Sequence, residues 1–201
     1  MGGYFNRLMQ KELQGMQSVL DLGCGSDSQL RFVQGVDKKV GVDAFEPSIE
    51  KARAKGIHDE YLIMPLDQID IPDKSFDAVI AIDLVEHFEK DESRAFIAKM
   101  ESLAKKKVFL FTPNGFLPQP SYDNNPWQEH KCGWEAAELQ DMGYDVQGVL
   151  GFKWMRGLYH RPYLRPRAVG NWIANRTRDL WTAKRPHLDA GLVAVKTMGG
   201  A

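Results

Sequence analysis

Residues 19–25, which read VLDLGCG, decide the fold of this chain. A short, mostly apolar strand runs here directly into two glycines that a single cysteine separates. Glycine has no Cβ and reaches positive φ, so such a turn lets a ligand approach the backbone closely. A helix predicted over residues 29–34 would point its free N–H groups at a negatively charged group of that ligand. The stretch therefore predicts a binding turn at the end of a first strand.

Outward from this turn, strand and helix patterns alternate along the chain. Apolar runs predict strands over residues 18–22, 39–43, 61–64, 76–82, 107–111, 145–150 and 192–196. Periodic segments predict helices over residues 4–17, 47–55, 91–104 and 134–142. This alternation predicts one α/β domain over residues 1–201, a doubly wound parallel sheet with helices on both faces. Ligands of such folds bind at the carboxyl ends of the strands, so the loops there should carry the chemistry.

The composition is that of an ordinary globular protein. Of the 201 residues, 43% are apolar and 26% are charged, and the net charge of −1 gives no global field that attracts nucleic acid. No apolar run approaches the roughly 20 residues that span a bilayer, and the first four residues, MGGY, do not begin a signal peptide. Cys24 and Cys132 form neither a disulfide framework nor a zinc pattern. These features predict a cytoplasmic protein without a metal site.

Ser28 argues against a nicotinamide-dependent dehydrogenase, because the dehydrogenase fingerprint has glycine or alanine at that position. The chain instead resembles the class I S-adenosylmethionine-dependent methyltransferases, whose first motif matches residues 19–25. The other motifs follow in the family's order, at residues 40–43 (VGVD), 75–80 (SFDAVI), 86–87 (EH) and 111–114 (FTPN).

This resemblance implies S-adenosyl-L-methionine as the cofactor. It also implies a Rossmann-like sheet of seven mostly parallel strands in which the last strand is antiparallel. Asp27 departs from the family, which often has a third glycine there, so we expect the loop after Gly25 to differ in shape.

The resemblance further implies a set of cofactor contacts. The glycine turn would bind the methionine part, with Asp21 stabilising the loop or reaching the amino group. Asp43 would accept hydrogen bonds from both ribose hydroxyls, for which a carboxylate offers several lone pairs. Leu66 and Asp67 would contact adenine or be solvated loop residues, and Asp83 would face the methyl donor or cap a helix. The predicted cofactor-binding residues are Asp21, Gly23, Cys24, Gly25, Asp43, Ala44, Leu66, Asp67 and Asp83.

Methyl transfer from a sulfonium is a direct displacement, in which the protein aligns the reactants and excludes water. A hydroxyl acceptor also needs a base, and histidine or a carboxylate of raised pKa is expected. Glu86, His87 and His130 are the candidates for this catalytic role. The alternative for Glu86 and His87 is a structural pair that caps the next helix. In the long loop around His130, Trp127 and Trp134 either stack on a substrate or pack in the core.

Residues 153–187, within a predicted insertion at about 152–190 between strands six and seven, are strongly basic. They carry nine basic residues against the single acid Asp179, a formal charge of +8. Val169, Trp172, Ile173 and Leu180 fit one side of a helix. Three interpretations remain open: a solvated cover that packs its aromatic residues on the domain, a site for an anionic substrate or a membrane surface, and a nucleic-acid contact. The last is the least favoured, because no RNA-binding module is recognisable.

The arrangement of His130 and Trp134 just before a helix recurs in small-molecule and sugar-directed bacterial methyltransferases, which the chain resembles. This resemblance implies O-methylation of a small-molecule or glycan-like acceptor. Two alternatives remain, a non-catalytic Rossmann-like module that binds an anionic partner through the basic insertion, and a nucleic-acid methyltransferase. Binding of S-adenosylmethionine separates the first alternative from an enzyme.

Overall fold

The computed structural model describes residues 3–121, 125–155 and 163–199. The strands are β1 (Ser18–Leu22), β2 (Lys38–Asp43), β3 (Glu60–Ile63), β4 (Phe76–Ile82), β5 (Ala104–Pro113), β6 (Asp145–Gly148) and β7 (Gly191–Thr197). The α-helices are α1 (Gly3–Leu13), α2 (Glu46–Lys55), α3 (Lys90–Leu103), α4 (Ala136–Asp141) and α5 (Arg167–Thr177). Several of the connecting loops contain single turns of 3-10 helix.

The seven strands form one sheet in the order β3-β2-β1-β4-β5-β7-β6. β1 pairs in parallel with β2 on one side and with β4 on the other, and β2 pairs in parallel with β3. β6 and β7 pair antiparallel, so the expected Rossmann-like sheet with an antiparallel last strand is confirmed. The strand order reverses between β1 and β4, which is the place where open α/β sheets bind ligands. The turn after β1 lies at this place.

Most predicted elements agree with the structure to within a few residues. β1 and β4 have the predicted bounds, and α2 begins with a proline in its first turn and ends at Gly56 with φ 60°. α1 ends at Leu13 instead of residue 17, and α4 covers only part of the predicted residues 134–142. The helix predicted over residues 29–34 is wrong, because only a short 3-10 helix, Gln29–Phe32, forms there.

The first of two compact units comprises Met1–Leu84, Arg94–Phe109 and Thr197–Ala201. It contains β1 to β4 and the first part of β5. α1 buries the predicted stripe, and its Phe5 ring packs edge-on against Phe109 with 6.0 Å between ring centroids. β4 is buried along its whole centre, as expected for a parallel strand whose two faces are both covered. This unit therefore has its own core beneath the carboxyl ends of β1 and β4.

The second unit comprises Val85–Ser93 and Leu110–Lys196. Its core includes a buried carboxylate, that of Asp189, which is 0% exposed. Asp189 accepts hydrogen bonds from the Leu150 N–H at 2.8 Å, the Gly151 N–H at 2.8 Å and the Gly191 N–H at 3.0 Å. It also accepts one from the Thr182 hydroxyl. One side chain thus ties the segment after β6 to the start of β7.

Candidate active site

The turn after β1 presents its backbone to open space. Gly23 and Gly25 both have positive φ, 66° and 55°, which glycine adopts without strain. A Cβ on Gly23 would lie 2.6 Å from Leu84 Cδ1, so any other residue there would also displace the end of the Leu84 side chain. A Cβ on Gly25 would meet no described heavy atom within 4 Å. The backbone of Gly25 therefore borders a volume that a ligand can fill.

Asp43, at the end of β2, holds this turn in place. Its Oδ2 accepts the Gly25 N–H at 2.8 Å, and its Oδ1 accepts the Phe45 N–H at 2.8 Å. A carboxylate offers about four acceptor positions on its two oxygens, so Asp43 keeps capacity for a ligand hydroxyl. Burial raises the pKa of Asp43, and hydrogen bonds from backbone N–H groups oppose that shift. The carboxylate is thus fixed beside the glycine turn and keeps acceptor capacity for a ligand hydroxyl.

A buried network that the sequence analysis missed lies behind the same turn. Asp21 Oδ2 accepts a hydrogen bond from Ser28 Oγ and lies 2.8 Å from His58 Nε2. The Asp21 and His58 side chains are 2% and 0% exposed. A Cβ on Gly41 of β2 would lie 3.0 Å from Cys24 Sγ and 3.1 Å from His58 Cγ. A glycine inside a strand often marks such a close approach, so Gly41 was the available signal.

Ser28 explains why the predicted helix is so short. Its hydroxyl accepts the Leu30 N–H at 3.1 Å and donates to Asp21, which caps a single 3-10 turn. The Leu30 N–H is therefore used within the loop and is not offered to a ligand. No helix N-terminus therefore contributes N–H groups to ligand binding at this turn. The backbone of the two glycines is the part of the turn left to contact a ligand.

Asp27, which stands where the family often has a third glycine, turns outward. It forms ion pairs with Arg31 and with Lys55, the latter at 2.8 Å. Among the described residues other than glycine, only Lys74 and Asp83 have positive φ, so Asp27 adopts an ordinary conformation. The loop after Gly25 therefore has room for this side chain without backbone strain.

The other predicted cofactor contacts follow neighbouring strands. Ala44 is half-buried directly after β2, and Leu66 is half-buried in a 3-10 turn after β3, where Asp67 is exposed. Asp83 follows β4, is exposed, and has φ 49°, which is uncommon outside glycine. Because β3, β2, β1 and β4 are parallel neighbours, these residues lie at the same edge of the sheet as the glycine turn.

In the second unit, Glu86, His87 and His130 come together. One possible ligand atom from each of them lies within 4.8 Å of the others. The rings of His87 and His130 are arranged edge to face, with 4.8 Å between centroids. His87 Nδ1 lies 3.0 Å from the carbonyl oxygen of Glu129, and His130 Nδ1 lies 2.7 Å from that of Leu117. Since a carbonyl can only accept, each Nδ1 carries a proton, and the lone pair of a neutral ring would lie on Nε2.

Glu86 is buried, with an exposed fraction of 1%. Its Oε2 accepts a hydrogen bond from the Thr112 hydroxyl at 3.1 Å. Its backbone carbonyl accepts the N–H groups of Lys131 and Cys132 at 2.8 and 3.1 Å. These bonds tie the segment before α3 to the loop before α4. Burial lowers the pKa of His130, which favours the neutral ring.

Comparison with known proteins agrees with the geometry of the turn. Residues 20–112 match the family described as "Methyltransferase domain". A probable S-adenosylmethionine-dependent methyltransferase of Mycolicibacterium smegmatis is 29% identical over 143 residues, 67% of this chain and 54% of that protein. A probable tRNA methyltransferase 9B of Mus musculus is 35% identical over 101 residues, 49% of this chain and 20% of that protein. The crystal structure of magnesium protoporphyrin IX methyltransferase from Synechocystis, with bound S-adenosylmethionine, has a TM-score of 0.54 at 19% identity and covers 96% of this chain and 74% of that one.

Residues 20–112 of the chain are thus similar to the S-adenosylmethionine-dependent methyltransferases. The resemblance read from the motifs is confirmed, and S-adenosylmethionine is the cofactor of the family. The matched residues 20–112 include every predicted cofactor-binding residue, whereas His130 lies beyond them. The chain spans about half the length of the mycobacterial relative and a smaller part of the mouse one.

Cys24 lies within the glycine turn, and its environment disfavours a reactive thiolate. The residue is 5% exposed, and burial raises the pKa of the thiol far above its usual range. Its N–H donates to the Val42 carbonyl at 3.0 Å. Cys24 therefore contributes packing behind the turn and the spacing of the two glycines.

The tryptophans of the loop before α4 have different environments. Trp134 is fully buried and donates its Nε1–H to Ser93 Oγ at 3.0 Å, while Lys90 Nζ lies 3.6 Å from the centre of its ring. The hypothesis that Trp134 stacks on a substrate is therefore wrong, and core packing accounts for it. Trp127 is 58% exposed and remains a candidate for such a contact. Residues 122–124 of this loop lie outside the described residues.

The basic segment is defined as residues 153–187, and within its described part α5 exposes its apolar side. α5 packs through Gly170 and Ala174, whereas Trp172 is 64% exposed and Leu180 in the following turn is 61% exposed. The part of the solvated-cover interpretation that packs aromatic residues on the domain is thus wrong for Trp172. In the described part of the chain no helix is long and apolar enough to cross a membrane. Residues Arg156, Tyr159 and Arg161 of this segment lie outside the described residues.

Proposed function

We propose that this chain is a methyltransferase that transfers a methyl group from S-adenosylmethionine to an oxygen of a small-molecule or glycan-like acceptor. The observation that carries the proposal is the open glycine turn whose Gly25 N–H is held by Asp43 at 2.8 Å. This arrangement fits the cofactor, because a backbone without Cβ borders open space beside a carboxylate with spare acceptor capacity. A non-catalytic module would not need both features.

The chain's own residues divide the binding of the cofactor between them. The backbone of Gly23 and Gly25 would line the methionine part, and Asp43 would accept from the ribose hydroxyls. Leu66 would cover the adenine, with Asp67 as a polar neighbour. Asp21 would act indirectly, since its Oδ2 is used by Ser28 and His58 in shaping the loop. Bound S-adenosylmethionine supplies an electrophilic methyl group, and the protein's task is to hold the acceptor in line with it and exclude water.

A hydroxyl acceptor must lose a proton during the transfer. The Nε2 atoms of His87 and His130 carry the lone pairs suited to this task, because both Nδ1 atoms face backbone carbonyls. His87 is half-buried and more accessible than His130, which is 8% exposed. Glu86, at 1% exposed, would position this pair and not itself take the proton.

Replacing Asp43 with alanine should weaken S-adenosylmethionine binding at least roughly tenfold, about 1.4 kcal/mol, through the loss of hydrogen bonds to a charged acceptor. Isothermal titration measures the affinity, and transfer of a tritiated methyl group to a panel of metabolites, glycans and tRNA measures activity. Burial raises the pKa of Asp43, so this carboxylate takes up a proton at a higher pH than an ordinary aspartate does. When the solution is acidified, the cofactor affinity of the wild type should therefore begin to fall at that higher pH.

The control for this variant is Asp70→Ala, which removes an exposed aspartate from the same unit. Unchanged affinity in Asp43→Ala would remove Asp43 from the ribose site. Labelling of tRNA and of no small molecule would contradict the proposed acceptor class while leaving the cofactor site intact.

We further propose that the basic segment binds an anionic lipid surface that presents the acceptor. α5 carries Val169, Trp172 and Arg176 on one side, and both apolar residues are exposed, at 48% and 64%. An exposed apolar side flanked by arginines inserts at a headgroup boundary, whereas a soluble phosphorylated substrate would need only the charges. The exposed Trp172 therefore favours a lipid surface over a free anionic substrate.

Co-sedimentation with vesicles should show binding to phosphatidylserine-containing membranes and little binding to pure phosphatidylcholine. Raising the salt concentration should weaken this binding, because exposed charges are screened within about 10 Å at 0.1 M salt. Trp172→Ala should reduce it severalfold, while Trp127→Ala, which removes an exposed tryptophan outside the segment, should not. Absence of vesicle binding, or an equal effect of both substitutions, would contradict this role.

A further inference from the structure

We propose that Glu86, His87 and His130 form a binding site for one divalent transition-metal ion of the zinc type. The three residues offer two imidazoles and one carboxylate, with ligand atoms within 4.8 Å of one another. In residues 3–121, 125–155 and 163–199 this is the one group of three or more such side chains that meets this spacing. Two histidines and a carboxylate are a recurrent ligand set for zinc and for iron(II).

The two histidines are oriented as metal ligands are. In metal sites the ring nitrogen that does not bind the ion usually donates its N–H to a carbonyl or a carboxylate. Here His87 Nδ1 lies 3.0 Å from the Glu129 carbonyl, and His130 Nδ1 lies 2.7 Å from the Leu117 carbonyl. These bonds fix both rings in the tautomer whose Nε2 carries the lone pair. Two independent backbone contacts thus select the same donor atom in both residues.

The Glu86 carboxylate and the loop that carries His130 are also held in place by hydrogen bonds before an ion binds. Glu86 Oε2 accepts the Thr112 hydroxyl at 3.1 Å, and the Glu86 carbonyl binds the N–H groups of Lys131 and Cys132. The His130 N–H in turn donates to the Gln119 carbonyl at 3.0 Å. The three ligands are therefore held by hydrogen bonds to the main chain and to the Thr112 hydroxyl before any ion binds.

The geometry needs only a small adjustment to close on an ion. Metal–ligand bonds of about 2.0–2.2 Å place two ligand atoms roughly 3–4 Å apart, and here one nitrogen of each histidine and one Glu86 oxygen lie within 4.8 Å of one another. A side-chain movement of about 1 Å would complete the site. Two imidazole nitrogens favour Zn²⁺ or Co²⁺ over Mg²⁺, which prefers oxygen ligands.

Three protein ligands leave at least one coordination position open. An oxygen ligand could occupy it, either water or a hydroxyl whose pKa the ion would lower. A bound ion would occupy the Nε2 lone pairs, so the histidines could not then act as bases. The ion itself would promote the loss of the proton from the hydroxyl. Metal binding does not depend on the proposed acceptor or on cofactor binding, and it can be measured without either.

The test is a titration of the chelator-treated full chain with zinc chloride and with cobalt chloride. We expect one ion to bind per chain, with visible absorption for cobalt and a zinc-dependent rise in the melting temperature. His87→Gln, His130→Gln and Glu86→Gln should each weaken binding at least tenfold. His187→Gln removes an exposed histidine elsewhere in the same unit and should leave the affinity unchanged.

Glu86 and His130 are buried, so the melting temperature of each metal-free variant shows whether it still folds. If these two variants unfold, the proposal is tested by His87→Gln, which changes a half-buried residue, and by the zinc-dependent stabilisation of the unmodified chain. Anomalous diffraction at the zinc edge should place the ion against both Nε2 atoms. Failure of the unmodified chain to bind either ion, or equal affinities in His87→Gln and His187→Gln, would overturn the proposal and leave the proposed methyl transfer standing.

Discussion

Replacing Gly25 with leucine should weaken the binding of S-adenosylmethionine at least about a hundredfold, roughly 2.7 kcal/mol, while the protein remains folded. A side chain at this position would project into the space beside the backbone, where no described atom lies within 4 Å of the added Cβ. The fold has nothing to displace there, so the added atoms would occupy the volume available to a ligand. The loss would therefore appear in affinity far more than in packing.

Backbone strain is the competing explanation, and the chain offers a matched control. Gly25 has φ 55° and Gly56, which ends α2, has φ 60°, and neither has a described atom near its Cβ position. A leucine at either site should cost about 1–2 kcal/mol of stability, because a left-handed conformation is strained for residues with a Cβ. Gly56→Leu should keep wild-type affinity for the cofactor.

Isothermal titration with S-adenosylmethionine and urea unfolding would separate the two effects. The glycine turn would be supported as the cofactor site if both variants lose the same stability and only Gly25→Leu loses affinity. Wild-type affinity in Gly25→Leu would contradict it, and so would equally weakened binding in both variants.

The glycine turn and the Asp43 site could be predicted from the sequence because both are local. The run of residues 18–22 determines a buried strand, the glycines end it, and Asp43 ends the neighbouring strand at the same edge of the sheet. The periodic helices were equally local, since the buried stripe of α1 follows the 3.6-residue period. Each of these predictions depends on contacts within one element or between strands of expected order.

The buried network behind the turn could not be predicted in the same way. His58 reaches Asp21 across 37 positions of sequence, and Ser28 uses its hydroxyl to cap a single turn where a helix was expected. A serine that competes with the backbone for hydrogen bonds shortens a helix only if a partner such as Asp21 is at hand. The partner comes from the tertiary structure, so propensity alone favoured the wrong element.

The sequence also did not show which side of α5 is exposed. The apolar positions of α5 fit one side of a helix, and a stripe of this kind usually faces a core. In the structure the opposite side, with Gly170 and Ala174, is the buried one. Small residues allow close packing of a helix, and this left Val169 and Trp172 facing outward. The pattern therefore identified the helix but not the side on which it packs.

Asp189 gave no sequence signal at all, yet its replacement by alanine should be the most destabilising of the substitutions considered. Its carboxylate is 0% exposed and accepts the N–H groups of Leu150, Gly151 and Gly191 together with the Thr182 hydroxyl. Burial raises the pKa of this carboxyl, and the same four donors oppose the shift. Removing the acceptor leaves several buried donors without it, and each such group costs about 1–3 kcal/mol.

We therefore expect Asp189→Ala to lower the free energy of unfolding by about 4 kcal/mol, less than the sum of its bonds because water and local shifts recover part of the loss. Urea denaturation followed by circular dichroism measures this change. Asp145→Ala, which removes an exposed aspartate from β6 in the same unit, should change stability by no more than about 0.5 kcal/mol. A loss below about 1 kcal/mol in Asp189→Ala would show that the segment after β6 and the start of β7 are held together by their packing and not by this carboxylate.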